Sequence, residues 1–200
     1  MTAEEIQFFD RLSDIWDDNE VLSIPDKIKE ILSELNIWKG MEILDLGTGT
    51  GVLLPYLSSM IGDSGKVTAL DISKGMLNRA KEKYGHLANV EFIIQDFEKE
   101  EVRGKYDLIL LYCVFPHMHF PEQTLKRLVL TNLKENGRIV VAFPSDENFI
   151  NNIHEERKAE SELLPSAPDL SLRLREWGLD SSVIRYDEGH YLVEIAGIRN

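Results

Sequence analysis

A short hydrophobic run that leads directly into a glycine-rich loop constrains this chain more than any other feature. Residues 42–46 read as a buried strand, and glycines follow it at Gly47, Gly49 and Gly51. Glycine allows backbone angles closed to other residues and leaves bare backbone at the start of a helix, which is typical of a nucleotide-cofactor loop. The third glycine comes one residue earlier than in the G-x-G-x-x-G loop that holds a pyrophosphate. The carboxylate of Asp45, just before this loop, favours a ligand that carries positive charge.

This run resembles the first motif of the class I S-adenosylmethionine-dependent methyltransferases. In that family the glycine loop holds the methionyl part of the sulfonium cofactor, and S-adenosylhomocysteine is the product. The resemblance therefore implies that the loop residues contact S-adenosylmethionine, namely Asp45, Gly47, Thr48, Gly49 and Gly51.

Two further motifs follow in the order that the family has them. Asp71 ends the second predicted strand, where the resemblance implies a carboxylate that binds both ribose hydroxyls, and Ile72 would pack on the adenine. Asp96 follows the third predicted strand, where an acidic residue accepts a hydrogen bond from the adenine amino group. Met76 and Phe97, beside these motifs, complete the expected contacts in this part of the chain.

Composition limits the classes of partner. The chain has 200 residues, of which 43% are hydrophobic, and this size suits one soluble domain. A net charge of −13 argues against nucleic acid, whose partners normally present a basic face. The sequence has one cysteine, no apolar run long enough to span a bilayer and no signal-peptide pattern, so we expect a cytoplasmic protein without a membrane partner.

Hydrophobic periodicity predicts an α/β fold. Two N-terminal helices occupy residues 1–40, the first behind the capping box at residues 2–5. From residue 41 strands and helices alternate, which predicts a Rossmann-like three-layer sandwich: a mostly parallel seven-stranded sheet with helices on both faces. The predicted elements are strand 42–46, helix 51–61, strand 66–71, helix 74–84, strand 90–95, strand 106–112, helix 121–134 and strand 137–143.

The C-terminal part departs from this alternation. A helix stripe ends at Gly178, and two strands, 182–186 and 191–196, flank a turn in which Glu188 and His190 are expected on the surface. The tight turn predicts a terminal antiparallel hairpin, as the methyltransferase resemblance also implies. We expect one domain over the whole chain. Its parts are residues 1–40 as a possible cofactor lid, 41–143 as the cofactor-binding core, 144–167 as a possible lid insertion and 168–200 as the last helix and hairpin.

The loop after the fourth strand is the predicted place for the methyl acceptor, because ligands of open α/β sheets bind beyond the carboxyl ends of the strands. The resemblance implies that Tyr112 and Cys113 border the methionyl group and that His117 faces the acceptor, where it could act as a general base. Many relatives have Asn or Asp where Tyr112 stands. A metal site at Cys113, His117 and His119 is the alternative, but no second cluster at zinc spacing accompanies these residues, and we predict no metal.

The segment after the fifth strand is polar with one apolar helical face. As a lid it would place Asn151, His154 or Glu155 where they could select an acceptor. A solvated helix with one packed face is the alternative.

Together these features predict a methyltransferase that acts on a small molecule by in-line displacement. Most of the catalysis would come from positioning, and thiols, amines, phenols, activated carbons and metalloids stay open as acceptors. The alternative from another class is a non-catalytic module that binds S-adenosylmethionine to sense it or to support a partner subunit. A nicotinamide-dependent oxidoreductase is disfavoured by the glycine spacing and by the terminal hairpin.

Overall fold

The computed structural model describes residues 1–16, 25–156 and 163–197. The strands in these ranges are β1 Glu42–Leu46, β2 Lys66–Asp71, β3 Val90–Ile94, β4 Tyr106–Tyr112, β5 Leu133–Phe143, β6 Ser181–Asp187 and β7 His190–Ala196. The helices are α1 Ala3–Leu12, α2 Pro25–Ser33, α3 Leu54–Ile61, α4 Lys74–Tyr84, α5 Pro121–Thr131, α6 Glu147–Glu156 and α7 Ala167–Glu176.

Within the described residues the strands form one seven-stranded sheet in the order β3-β2-β1-β4-β5-β7-β6. It is mostly parallel, helices are interleaved with the strands along the chain, and the last two strands form an antiparallel hairpin. The predicted fold class is therefore confirmed. The chain divides into two compact units, Met1–Glu101 and Val102–Asn200. The organisation as a single functional domain stays a prediction.

In the unit Met1–Glu101, β1 pairs in parallel with β2, and β2 pairs in parallel with β3. Ile43 and Leu44 are both fully buried, as are Ala69 and Leu70. Neighbouring residues of a strand point to opposite faces of the sheet, so both faces of β1 and β2 are covered. Continuous apolar strands of this kind are what a buried parallel sheet requires.

The helix after the glycine loop begins later than predicted. The sequence pattern predicts a helix from residue 51, whereas α3 begins at Leu54. The N–H of Gly51 donates to Thr48 O and the N–H of Leu54 donates to Gly51 O, so turns continue through residues 51–53. Gly51 has a φ of 81°, which a right-handed helix cannot include, and the loop is therefore longer than the hydrophobic pattern indicated.

In the unit Val102–Asn200, β4 pairs in parallel with β5, and β7 lies antiparallel between β5 and β6. The strand β5 begins at Leu133 rather than at the predicted residue 137, and α5 accordingly ends at Thr131. The difference arises from a bulge: the pairing with β4 shifts between Tyr106 and Leu108, and Asn136 has a φ of 60°. Asparagine tolerates this left-handed conformation. The bulge interrupts the alternation of apolar and polar residues, so the sequence pattern does not predict the start of the strand.

The hairpin turn corrects one sequence expectation. Asp187 pairs with His190 across the turn, so β6 and β7 are joined by two residues. Glu188 is exposed, as expected, but His190 is buried with 3% of its surface accessible. His190 begins the strand that lies between two others, and its Nδ1 lies 2.7 Å from Asp187 Oδ1, a partner that compensates the burial of a polar ring.

Asn132 ties the start of β4 to the end of α5. Its Nδ2 group donates to Val102 O at 2.7 Å and to Gly104 O at 3.0 Å, and the residue is 3% exposed.

We expect Asn132→Ala to lower the free energy of unfolding by about 2–4 kcal/mol, because two carbonyl groups lose a donor that water cannot easily replace. Urea unfolding measures this effect. The matched control is Asn152→Ala, whose side chain is exposed on α6; a similar loss in both variants would contradict the role given to Asn132.

Candidate functional site

The glycine loop holds an open stretch of backbone next to a closely packed one. Gly49 has a φ of 55°, and a Cβ atom added to it would meet nothing within 4 Å. A Cβ atom on Gly51 would approach Leu54 Cδ1 to 2.8 Å and Tyr84 Cδ2 to 3.0 Å. The loop thus leaves space for a ligand at Gly49, whereas Gly51 is needed for the fit of the loop against neighbouring helices.

Asp71 joins the end of β2 to this loop. Its Oδ1 accepts a hydrogen bond from the N–H of Ser73, and its Oδ2 accepts one from the N–H of Gly49, both at 2.8 Å. Burial raises the pKa of Asp71 to about 6, although these two N–H groups favour the ionised form. The backbone of Ile72 also favours the ionised form, and a carboxylate has about four acceptor sites in all. Asp71 can therefore accept further hydrogen bonds without releasing the loop.

Asp45 is a second buried acid in the same unit. It is 2% exposed, and its Oδ2 accepts a hydrogen bond from Thr48 Oγ1 at 2.6 Å. Burial raises the pKa of Asp45 to about 7; the Thr48 hydroxyl favours the ionised form, and the negative charge of Asp71 opposes it. A carboxylate that is costly to ionise here would be stabilised by a ligand with positive charge.

The third predicted motif follows β3. Burial disfavours the charged form of Asp96, but hydrogen bonds from Lys99 and from the N–H of Glu98 outweigh burial and lower its pKa. The Lys99 Nζ atom lies 3.0 Å from Asp96 Oδ2, so this carboxylate already has a cationic partner. Phe97 beside it is buried.

Two further predicted contacts flank the start of α4. Ile72 is half-buried, which leaves apolar surface for an aromatic ring, whereas Met76 is 2% exposed and belongs to the core of this unit. Ser73 begins the helix: its side chain accepts from the N–H of Met76. The contacts of Asp96, Ile72 and Met76 with a cofactor stay predictions.

In the unit Val102–Asn200 the predicted acceptor residues follow β4. Tyr112 is 8% exposed at the end of the strand, and Cys113 comes next with a φ of 59°. A non-glycine residue in this conformation costs about 1–3 kcal/mol and is found preferentially at functional sites. His117 closes a 3-10 turn, and its ring centroid lies 4.9 Å from that of His154 on α6. The roles of Tyr112, Cys113 and His117 in binding and catalysis stay predictions.

The segment proposed as a lid insertion is only partly described, because residues 157–162 lie outside the described ranges. The helix α6 is hydrogen-bonded to residues of other segments. Tyr186 Oη donates to the Glu147 carboxylate, and the Asn151 side chain exchanges hydrogen bonds with Leu164 N and O at 2.8 and 3.0 Å. Its apolar face buries Ile150. A role for 144–167 as a lid stays a prediction.

Two residues of the candidate site, Ser73 and Asp10, were not predicted from the sequence. Ser73 donates its N–H to Asp71, and the capping position before α4 is a signal that could have identified it. Asp10 on α1 accepts a hydrogen bond from Ser73 Oγ at 2.6 Å, and no local pattern indicates that contact. Among the residues that the structure describes, no group of three or more His, Cys, Asp or Glu side chains is arranged to hold a metal ion. No helix in the described ranges is both long and apolar enough to cross a membrane.

The chain is similar to a known protein family and to individual proteins. A family model described as a methyltransferase domain matches residues 37–197. The chain is 37% identical over 103 residues to a malonyl-[acyl-carrier protein] O-methyltransferase of Acetivibrio thermocellus, a match that covers 52% of this chain and 35% of that protein. It is 28% identical over 130 residues to the enzyme of that name from Anoxybacillus flavithermus, covering 64% of this chain and 48% of the relative. The matched stretches thus span about a third to a half of these relatives.

Solved structures extend the similarity to nearly the full length. An S-adenosylmethionine-dependent methyltransferase from Aquifex aeolicus superposes with a TM-score of 0.68 at 26% identity, covering 98% of this chain and 97% of that one. The structure of DhpI with S-adenosylhomocysteine superposes with a TM-score of 0.75 at 23% identity, covering 98% and 96% of the two chains, and it shows the shared fold. From the extent of the family match and the motifs in their order along the sheet, the chain belongs to the S-adenosylmethionine-dependent methyltransferase domain family.

Proposed function

We propose that this chain binds S-adenosylmethionine through the unit Met1–Glu101 and transfers the methyl group to a small-molecule acceptor. The observation that carries the proposal is the Asp71 carboxylate, held by the N–H groups of Gly49 and Ser73 beside the open backbone at Gly49. A fixed carboxylate that can still accept hydrogen bonds suits a pair of vicinal hydroxyl groups such as those of a ribose. Family membership and the motif order support the same assignment.

Different residues of this unit would contact different parts of the ligand. Asp71 would accept from the ribose hydroxyls, and the bare backbone at Gly49 would approach the methionyl part. Asp45 supplies negative charge at a position where burial makes an unpaired carboxylate costly. When bound, S-adenosylmethionine supplies a methyl group on a sulfonium that is ready for in-line displacement. Holding an acceptor in near-attack geometry can contribute about 7–11 kcal/mol, so positioning would be the main catalytic effect.

The acceptor is proposed to be a small molecule, and His117 to accept its proton. Curated relatives include enzymes named for malonyl-[acyl-carrier protein] and, in Staphylococcus aureus, for demethylmenaquinone. A malonyl thioester and a demethylated quinone are therefore the first probes, beside simple thiols, amines and phenols. The acidic net charge of −13 disfavours a polyanionic acceptor such as nucleic acid.

Replacing Asp71 tests the ribose assignment. We expect Asp71→Asn to weaken the binding of both S-adenosylmethionine and S-adenosylhomocysteine by about 10- to 100-fold, because a charged acceptor is lost from two hydroxyl groups. Calorimetric titration measures this, with NADH titrated in parallel. The matched control is Asp63→Asn, an exposed residue before β2. Unchanged affinity in Asp71→Asn would show that the second motif is misassigned, and binding of NADH alone would favour an oxidoreductase.

Replacing Asp45 should change the stability of the protein and its affinity for S-adenosylmethionine in opposite directions. The pKa of Asp45 is raised to about 7 in the folded protein from an ordinary value of 3.8, so the native state holds an extra proton between these values and loses stability as the pH rises through them. We expect Asp45→Asn to match the wild type near pH 4 and to be more stable near pH 8 by about 3–4 kcal/mol. The variant should bind S-adenosylmethionine more weakly, since the negative charge is gone.

Chemical denaturation across this pH range measures the stability of the ligand-free proteins, and calorimetry at pH 8 measures binding. Equal stability of the two proteins at pH 8 would contradict the raised pKa. Unchanged affinity would remove Asp45 from the cofactor site even if the stability difference were found.

Replacing His117 tests the catalytic proposal. We expect His117→Gln to lower the rate constant kcat by about 100-fold or more for an acceptor that must lose a proton, with the dissociation constant of S-adenosylmethionine unchanged. Transfer of labelled methyl to the probe acceptors measures the rate. His119→Gln is the matched control, an exposed histidine of the same loop. An undiminished rate in His117→Gln would exclude the base. Firm cofactor binding without transfer to any probe would favour the non-catalytic alternative.

A further inference from the structure

The helix α1 contacts the loop that holds Asp71. Asp10, near the end of α1, accepts with one oxygen, Oδ1, a hydrogen bond from Ser73 Oγ at 2.6 Å and another from the N–H of Gly75 at 2.8 Å. Ser73 in turn donates its own N–H to Asp71. A single buried serine therefore connects the carboxylate of the N-terminal helix with the carboxylate proposed to bind the ribose.

The fit between α1 and the first turn of α4 leaves no room for a side chain. A Cβ atom on Gly75 would approach Ser13 Oγ to 2.8 Å and the Cα and O atoms of Asp10 to 3.1 Å. Two of these three atoms are backbone, which cannot move without moving α1 itself. Ser13 is 6% exposed, and its hydroxyl donates to Asp10 O at 2.8 Å, which fixes the end of the helix.

Met1, which precedes α1, contacts the loop after β3. The Lys99 Nζ atom donates to Met1 O at 3.3 Å, and the same atom lies 3.0 Å from Asp96 Oδ2. The amino group of Met1 lies 3.4 Å from the buried side chain of Glu98. The segment thus runs from the loop that carries Asp96, proposed for the adenine, to the loop that carries Asp71, proposed for the ribose.

We propose that Asp10 is a positioning residue of the cofactor site, through which α1 holds the ribose-binding loop and retains the adenosine half of the ligand. The inference rests on the proposed function for the identity of that ligand. The hydrogen bonds of Asp10 orient Ser73, and Ser73 orients Asp71. Loss of these hydrogen bonds would free the loop that carries Asp71, and the ligand would then dissociate faster.

The acceptor role of Asp10 and its charge can be separated by substitution. Asp10→Ala removes the acceptor from Ser73 and Gly75, whereas Asp10→Asn keeps a carbonyl oxygen that can accept from both. Gly75→Ala displaces α1 by steric contact while it leaves every charge in place, and alanine favours the helix α4 itself. Asp14→Ala is the matched control on the same segment, because the Asp14 carboxylate is exposed and its ion pair with Arg79 Nε is long, at 3.9 Å.

The experiment measures the dissociation rate of S-adenosylhomocysteine from the full chain by stopped-flow displacement, together with the melting temperature without ligand. We expect Asp10→Ala and Gly75→Ala to release this ligand about 10-fold faster or more, and Asp10→Asn and Asp14→Ala to stay within about 2-fold of the wild type. A merely structural contact would lower the melting temperature of Asp10→Ala and leave the dissociation rate from the folded protein unchanged.

The outcomes distinguish this inference from the proposed function. Dissociation rates within 2-fold of the wild type in both Asp10→Ala and Gly75→Ala would overturn the role of Asp10 alone. No binding of S-adenosylhomocysteine or S-adenosylmethionine by the folded wild-type chain would overturn the proposed function and this inference with it. If Asp10→Ala fails to fold, Gly75→Ala decides the question, because it changes neither charge nor capping.

Discussion

The proposed cofactor site depends on one carboxylate that joins two separate loops. Asp71 accepts from the N–H of Gly49 in the glycine loop and from the N–H of Ser73 at the start of α4. Both donors are backbone groups, so the geometry depends on the course of the chain and not on flexible side chains. Charge-assisted hydrogen bonds of this type are roughly twice as strong as neutral ones, which explains how a buried acid can stay in place beside an open loop.

The electrostatics of the first unit suit a cation better than a phosphate. Burial raises the pKa values of Asp45 and Asp71. The negative charge of Asp71 raises the pKa of Asp45 further, and that of Asp10 raises the pKa of Asp71. A phosphate group placed here would add repulsion to this cost, whereas a sulfonium or ammonium group would relieve it. This preference for a cation distinguishes the loop from dinucleotide loops, in which the helix N-terminus faces a pyrophosphate. Acidic side chains near a glycine loop therefore carry functional information that the glycines alone lack.

The second unit shows where local pattern and tertiary structure diverge. The hairpin was predictable because a two-residue turn between alternating strands has a strong local signature. The early start of β5 and the burial of His190 were not, since a bulge at Asn136 and the insertion of β7 between two strands depend on distant partners. The ring contact of His117 with His154 is of the same kind: the two residues lie far apart in the chain, and no spacing rule brings them together.

The class of fold, the order of the motifs and the family can all be recognised in the amino-acid sequence. These features are local: glycines with positive φ, acids at strand ends, a capping serine and the alternation of apolar runs are all encoded within a few neighbouring residues. The packed chain was needed to show which acids are buried, that Asp71 accepts hydrogen bonds from two loops, and that Asp10 of the N-terminal helix contacts Ser73. Burial and long-range hydrogen bonds are properties of the packed chain, because their energies depend on which distant groups exclude water from a given atom.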